Sequence, residues 1–227
     1  MADGEAPLKK NSDLPVRVAS AIVMLAVAGT ALWLGGKWLD AFILLVAAMC
    51  YWELARLVAG ATQSKANRTI GWLVGATYVG AAAYSLISIP VAVLIGAMAI
   101  VIATDTGAYF SGRAIGGPKI APGISPSKTW AGLIGGMTAA GLVSFAFFYS
   151  NVGDRAFAPM GLVALGIGAA LAVLAQTGDF FESWLKRKAG VKDSSNLIPG
   201  HGGVFDRVDG LLPVAIATLF LWFNAHP

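Results

Sequence analysis

Asp179 with Glu182, and Asp206 with Asp209, form two pairs of carboxylates. Each pair is spaced three apart, so its members share a face wherever the chain is helical. Between the pairs lies Pro199-Gly200-His201-Gly202-Gly203, whose glycines bare backbone N–H groups and let a ligand come close. The stretch from Gln176 to Gly210 that holds both pairs carries five of the twelve acidic and five of the sixteen basic residues, in a chain that is 57% hydrophobic and only 12% charged. Carboxylates, ammonium groups and bare backbone together suit a metal-bound nucleotide. A polar loop between membrane spans concentrates charge for topological reasons alone, so the chemical reading rests on residue order and spacing. Asp105 adds a carboxylate five residues before the end of an apolar run, where an unpaired charge is costly. Ser125, Ser127, Lys128 and Thr129 stand just ahead of a helix expected to start near Trp130. Hydroxyls, an ammonium and the free N–H groups of a helix N-terminus make an anion site, although Ser-Pro-Ser also makes an ordinary turn with a helix cap.

The elements that must position these groups are membrane spans. A mean hydropathy of +0.71 is more than a water-facing surface permits, and a crossing helix needs about 20 mostly apolar residues. Apolar segments run over 16–34, 39–58, 70–89, 91–110, 131–149, 160–177 and 204–223. The expected fold is therefore an all-α polytopic membrane protein of about seven transmembrane helices. Residues 1–15 read as a disordered polar tail and 16–227 as one integral-membrane domain, the first span being retained because no small-residue cleavage site follows the tail. Small residues at helix-packing spacing, Gly71 with Gly75 and Gly132 with Gly136, let backbones approach in lipid.

Lysine and arginine fall 3, 1, 3, 0, 3, 1, 5, 0 along the tail, the six loops and the C-terminus, which takes in all sixteen. That alternation places the N-terminus in the cytoplasm and gathers Asp105, Asp179, Asp206 and Asp209 near the cytoplasmic membrane face. Lys186, Arg187 and Lys188 satisfy the same rule and could also capture an acidic lipid. The basic residues are scattered between spans, so anionic membrane lipids are expected partners and nucleic acid is not. Cys50 has no second cysteine, which excludes a disulfide or a cysteine metal site within one chain. Glu53 and Arg56 are expected to pair with each other. His201 either contacts a phosphate, moves a proton or stabilises its loop.

The run SWLKRKAGVKDSSNLIPGHGGVFDRVD, from Ser183 to Asp209, resembles the signature of the phosphatidate cytidylyltransferases (CDP-diacylglycerol synthases) at every defined position. DTGAYFSGR from Asp105 and SPSKTWAG from Ser125 look like two further blocks of that family, in the expected order, so the clear resemblance covers 105–210. Ala131 stands where the family usually has Glu. The resemblance implies cytidylyl transfer from CTP to phosphatidate, giving CDP-diacylglycerol and pyrophosphate, with Mg²⁺ as cofactor and a second cation left open. It implies Asp179 and Asp206 as metal ligands, joined by Asp209 or Asp105. Ser125, Ser127, Lys128 and Thr129 would cradle phosphates, with His201, Gly202 and Gly203 near the substrate. Lys192 and Arg207 would stabilise developing charge, and Lys186 and Arg187 would hold the phosphatidate head. A homodimer in a bacterial inner membrane is the setting implied. A CTP-dependent lipid alcohol kinase would use similar pieces but move the γ-phosphoryl group. An ion-coupled transporter would hold its carboxylates at the bilayer midplane, whereas these cluster toward one face.

Overall fold

The computed structural model describes residues 14–157 and 159–225. The expected polar tail lies outside the described residues except for Leu14 and Pro15, which open the first helix. Six helices are long and apolar enough to cross a membrane: α1 (Leu14–Leu34), α2 (Gly36–Ala61), α3 (Lys65–Ser88), α4 (Val91–Ala114), α5 (Trp130–Val152) and α6 (Pro159–Ala189). Each of the first six apolar segments is thus one helix. The seventh divides into a single turn, α7 (Phe205–Val208), and the 15-residue α8 (Leu211–Ala225).

The helix ends follow local chemistry. The Ser64 side chain accepts from the Asn67 N–H to open α3, Pro90 breaks the chain before α4, and Gly153, at φ 59°, ends α5 ahead of a 3₁₀ turn over Gly153–Phe157. One departure from an all-helical chain separates α4 from α5. Strands β1 (Lys119–Ala121) and β2 (Ser125–Thr129) pair antiparallel, with Lys119 opposite Thr129 and Ala121 opposite Ser125. The serine-rich segment before α5 is therefore a pinned strand and not an open turn.

The two glycine pairs act as expected. Gly71 and Gly75 seat α3 on Val58 and Leu54 of α2, and Gly132 and Gly136 seat α5 against Ala108 and Thr104 of α4. One core cluster joins Leu54, Val79, Leu185, Phe205 and Leu212, and another joins Ile100, Ala140, Leu171 and Val214. On α1 only Ala31 is buried, so that helix presents its apolar side chains outward. The 31 residues of α6 span roughly 46 Å at 1.5 Å per residue, about 15 Å more than the hydrocarbon core of a bilayer. The C-terminal third of α6 therefore carries Asp179, Glu182 and Lys186 to one end of the bundle. The C-terminal ends of α2 and α4, the hairpin, the start of α5, and α7 meet it there.

Candidate active site

A cleft of about 340 Å³ opens between α4, β2 and α6, lined by Asp105, Arg113, Ser127, Lys128, Gln176 and Asp179 among others. Strand pairing fixes β2, and the Thr129 hydroxyl oxygen caps α5 by accepting from the Gly132 N–H at 3.0 Å. With its neighbours fixed, Lys128 reaches α6. Its Nζ lies 2.5 Å from Asp179 Oδ2 and 4.6 Å from the centre of the Phe180 ring. The other carboxylate oxygen of Asp179 accepts from Ser183 Oγ at 3.2 Å. Ser125 is buried in the hairpin and does not line the cleft, whereas Ser127 and Thr129 do. Ala131 leaves no lysine stranded, because the partner of Lys128 is Asp179, 51 positions downstream.

A second constellation lies along the same helix. Lys186 Nζ stands 3.0 Å from Glu182 Oε2 and 2.6 Å from Asp206 Oδ1. Asp206 Oδ2 accepts from the Gly203 N–H at 2.8 Å, the Ser194 N–H at 3.0 Å and Ser194 Oγ at 2.9 Å. Burial alone would raise the Asp206 carboxyl, but hydrogen bonding with Glu182 and Lys186 and from these two N–H groups outweighs it and holds the group well below the usual carboxylate range. The Gly203 N–H, expected to face a ligand, is thus already bonded within the loop. The Gly202 carbonyl likewise accepts from the Ile198 N–H.

Asp209 links the two constellations. Gly178 lets it approach α6: a Cβ there would lie 2.2 Å from the Asp209 carbonyl oxygen. Burial pushes the Asp209 carboxyl up to about 7, helped by the charges of Asp179 and, less, Asp105, against the pull of the Gly210 N–H and Glu182. No three histidine, cysteine, aspartate or glutamate side chains among the described residues stand as a ready-made metal cage. Asp179 and Asp209 are close enough to repel one another and offer oxygen donors of the hard type that Mg²⁺ takes.

The other expected residues sit outside the cleft. Lys192 lines a neighbouring cleft of about 470 Å³ with Arg56, Ser194 and Ser195. Arg207 donates through Nε and a terminal nitrogen to the His201 carbonyl, closing the loop on itself. His201 Nδ1 lies 2.9 Å from Ser20 Oγ of α1, which makes it a tie between loop and bundle. Arg187 is exposed.

Glu53 does not pair with Arg56, whose guanidinium instead lies over the Trp52 ring at 4.7 Å. It is fully buried and accepts hydrogen bonds from Ser194 Oγ, Ser195 Oγ and the N–H groups of Val204 and Phe205. In the sequence its only signal is a carboxylate inside an apolar run.

Comparison with known proteins fits this geometry. The chain is 44% identical over 184 residues to the phosphatidate cytidylyltransferase of Brucella suis biovar 1 (strain 1330), covering 74% of this chain and 64% of that protein. It is 50% identical over 126 residues to the protein of that name from Haemophilus influenzae (strain ATCC 51907 / DSM 11121 / KW20 / Rd), covering 53% and 41%. It is 45% identical over 131 residues to the one from Pseudomonas aeruginosa (strain PAO1), covering 56% and 47%. The chain thus spans under two thirds of the length of these relatives. Because the Cytidylyltransferase family matches residues 81–224, a stretch holding the cleft, the hairpin and the whole Asp206 constellation, the chain is a member of that family.

Proposed function

We propose that this chain transfers the cytidylyl group of CTP to phosphatidate, forming CDP-diacylglycerol and releasing pyrophosphate. The observation that carries this reading is the cleft in which Lys128, Ser127 and the start of α5 face Asp105 and Asp179. Anion-binding and cation-binding groups stand there within one nucleotide's reach. The relatives that carry the name phosphatidate cytidylyltransferase support the choice of substrates.

An ionised phosphate oxygen of phosphatidate attacks the α-phosphorus of CTP. A new P–O bond forms as the bond from the α-phosphorus to the β-phosphate oxygen breaks, and pyrophosphate departs. The attacking oxygen carries its charge already at neutral pH, so no side chain needs to take a proton. Both reactants are anions, and their repulsion is the main obstacle. Lys128, released from Asp179, pairs with the triphosphate, while Ser127, Thr129 and the first N–H groups of α5 hold its oxygens. The exposed Arg187, Lys192 and Arg207 neutralise the lipid phosphate. Asp179 and Asp209 fit Mg²⁺ as oxygen donors, with Asp206 available once Lys186 lets go of it. When bound, Mg²⁺ supplies charge neutralisation for the triphosphate and the departing pyrophosphate.

The site faces the cytoplasm, in line with the lysine and arginine alternation, and α8 makes a short seventh crossing of a bacterial inner membrane. The test uses purified protein, phosphatidate vesicles and CTP labelled in the base. Label in the extracted lipid is the expected result, and label confined to water-soluble CDP would overturn the proposal.

A further inference from the structure

Glu53 has none of its surface exposed and lies on α2, upstream of the family match at 81–224. Its partners are 141 to 152 positions further along the chain. Oε1 accepts from Ser195 Oγ and from the Val204 N–H at 3.0 Å, and Oε2 accepts from Ser194 Oγ at 2.9 Å and from the Phe205 N–H at 2.6 Å. Each oxygen thus meets one backbone N–H and one hydroxyl, the single proton of Ser194 Oγ being shared between Glu53 and Asp206. No lysine or arginine makes an ion pair with it among the described residues. A buried carboxylate without a cation is costly and persists only where its hydrogen bonds are complete.

The residues it grips are the immediate neighbours of Asp206. Ser194 also bonds Asp206 through its own N–H, and Phe205 precedes it in sequence. Gly203 leaves room for the grip, since a Cβ there would lie 2.0 Å from Ser194 Oγ and 2.6 Å from both Glu53 oxygens. Apolar packing already buries Phe205 to 1% exposure, so attachment of α7 to the bundle does not require a carboxylate. What the carboxylate adds is direction, because four donors on two oxygens fix the orientation of both ends of the loop.

We propose that Glu53 is a positioning residue for the reaction. By pinning Ser194 and Phe205 from α2, it sets the orientation of the Asp206 carboxylate and of the neighbouring Arg207. This rests on the cytidylyl-transfer reading.

The test is Glu53→Gln, with Ser194→Ala and the double variant, in lipid nanodiscs. Whichever way the amide turns, its NH₂ meets a backbone N–H in place of an acceptor, so at least one main-chain bond is lost. Hydrogen exchange over 194–206 should quicken about tenfold or more, from the loss of a charge-assisted hydrogen bond, with α4 and α5 unchanged. The turnover number should fall by roughly 10- to 100-fold while KM for CTP changes by less than about threefold, as for an interaction that acts on the reacting geometry and not on CTP binding. The double variant should lose less than the product of the two single effects, because Ser194 bonds both Glu53 and Asp206 and the side chains act as one network. Wild-type protection of 194–206, or multiplicative effects in the double variant, would overturn the proposal. Should Glu53→Gln fail to fold, Ser194→Ala with Ser195→Ala removes both hydroxyl donors and is read the same way. If the wild type moves no cytidylyl group, the function fails separately, and the exchange result still decides the role of Glu53.

Discussion

Replacing Lys186 by methionine keeps the length of the side chain and removes its charge. The ammonium sits between Glu182 and Asp206, with side-chain exposures of 13% for the lysine and 2% and 8% for the two acids. These are far below the exposure at which water screens a pair to between nothing and about 1 kcal/mol. Removing one partner of a buried pair leaves an uncompensated charge, at a cost of about 3–5 kcal/mol. For a chain of this size that corresponds to a fall of roughly 6–20 °C in the melting midpoint. The deficit should depend on pH in a definite direction. Asp206 is held below its ordinary range, so its stabilising contribution is complete above the unfolded value of about 3.9 and is lost as pH falls through the lower folded value. Without Lys186 that contribution is cut, so the difference between variant and wild type should be largest above pH of about 4 and shrink as pH falls below it. The assay is thermal unfolding in nanodiscs at several pH values. A loss below about 1 kcal/mol that is also flat with pH would show that Lys186 is solvated and that the buried triad is misassigned.

Asp179→Asn and Asp206→Asn should each abolish turnover while the protein still inserts and keeps its helical circular dichroism; near-normal rates in both would show that the metal site lies elsewhere. Ala131→Glu places a carboxylate in the first turn of α5, where the helix dipole favours it by about 0.3–1 kcal/mol. Initial rates should be equal or higher, and a large loss would show that the packing around residue 131 rejects the longer side chain. Asp209, raised to about 7, must ionise to hold a cation, so Mg²⁺ affinity by calorimetry should weaken as pH falls through about 7; a constant that is the same at pH 6 and 8 would remove Asp209 from the ligand set.

Much of this architecture could be read from the chain because apolar runs of bilayer length have one outcome in lipid. The six long helices followed from those runs. The shared face of Asp179 and Glu182 followed from continuation of α6 past its apolar part. The start of α5 at Trp130 followed from the polar run just before it. The hairpin was not legible: β1 is three residues long, too short to show alternation, and its stability comes from pairing with β2. Nor were the partners of the charged groups. Lys186 follows a span and fits a topological rule, and nothing local reveals that α7 brings Asp206 to it. Helical spacing of three residues points Glu53 to Arg56. The bonds it makes instead depend on a loop more than 140 positions away, and such closure is set by tertiary packing. The same holds for Gly203, whose N–H, bare in the sequence, is taken by Asp206 once the turn forms.

The most direct measurement gives the purified protein CTP carrying tritium in the cytosine and ³²P at the γ-position, with phosphatidate vesicles and Mg²⁺, and follows both labels. Cytidylyl transfer sends tritium into the lipid and ³²P into pyrophosphate in equal amounts. Recovery of ³²P in the lipid with tritium in CDP would make the chain a kinase and contradict the proposed reaction.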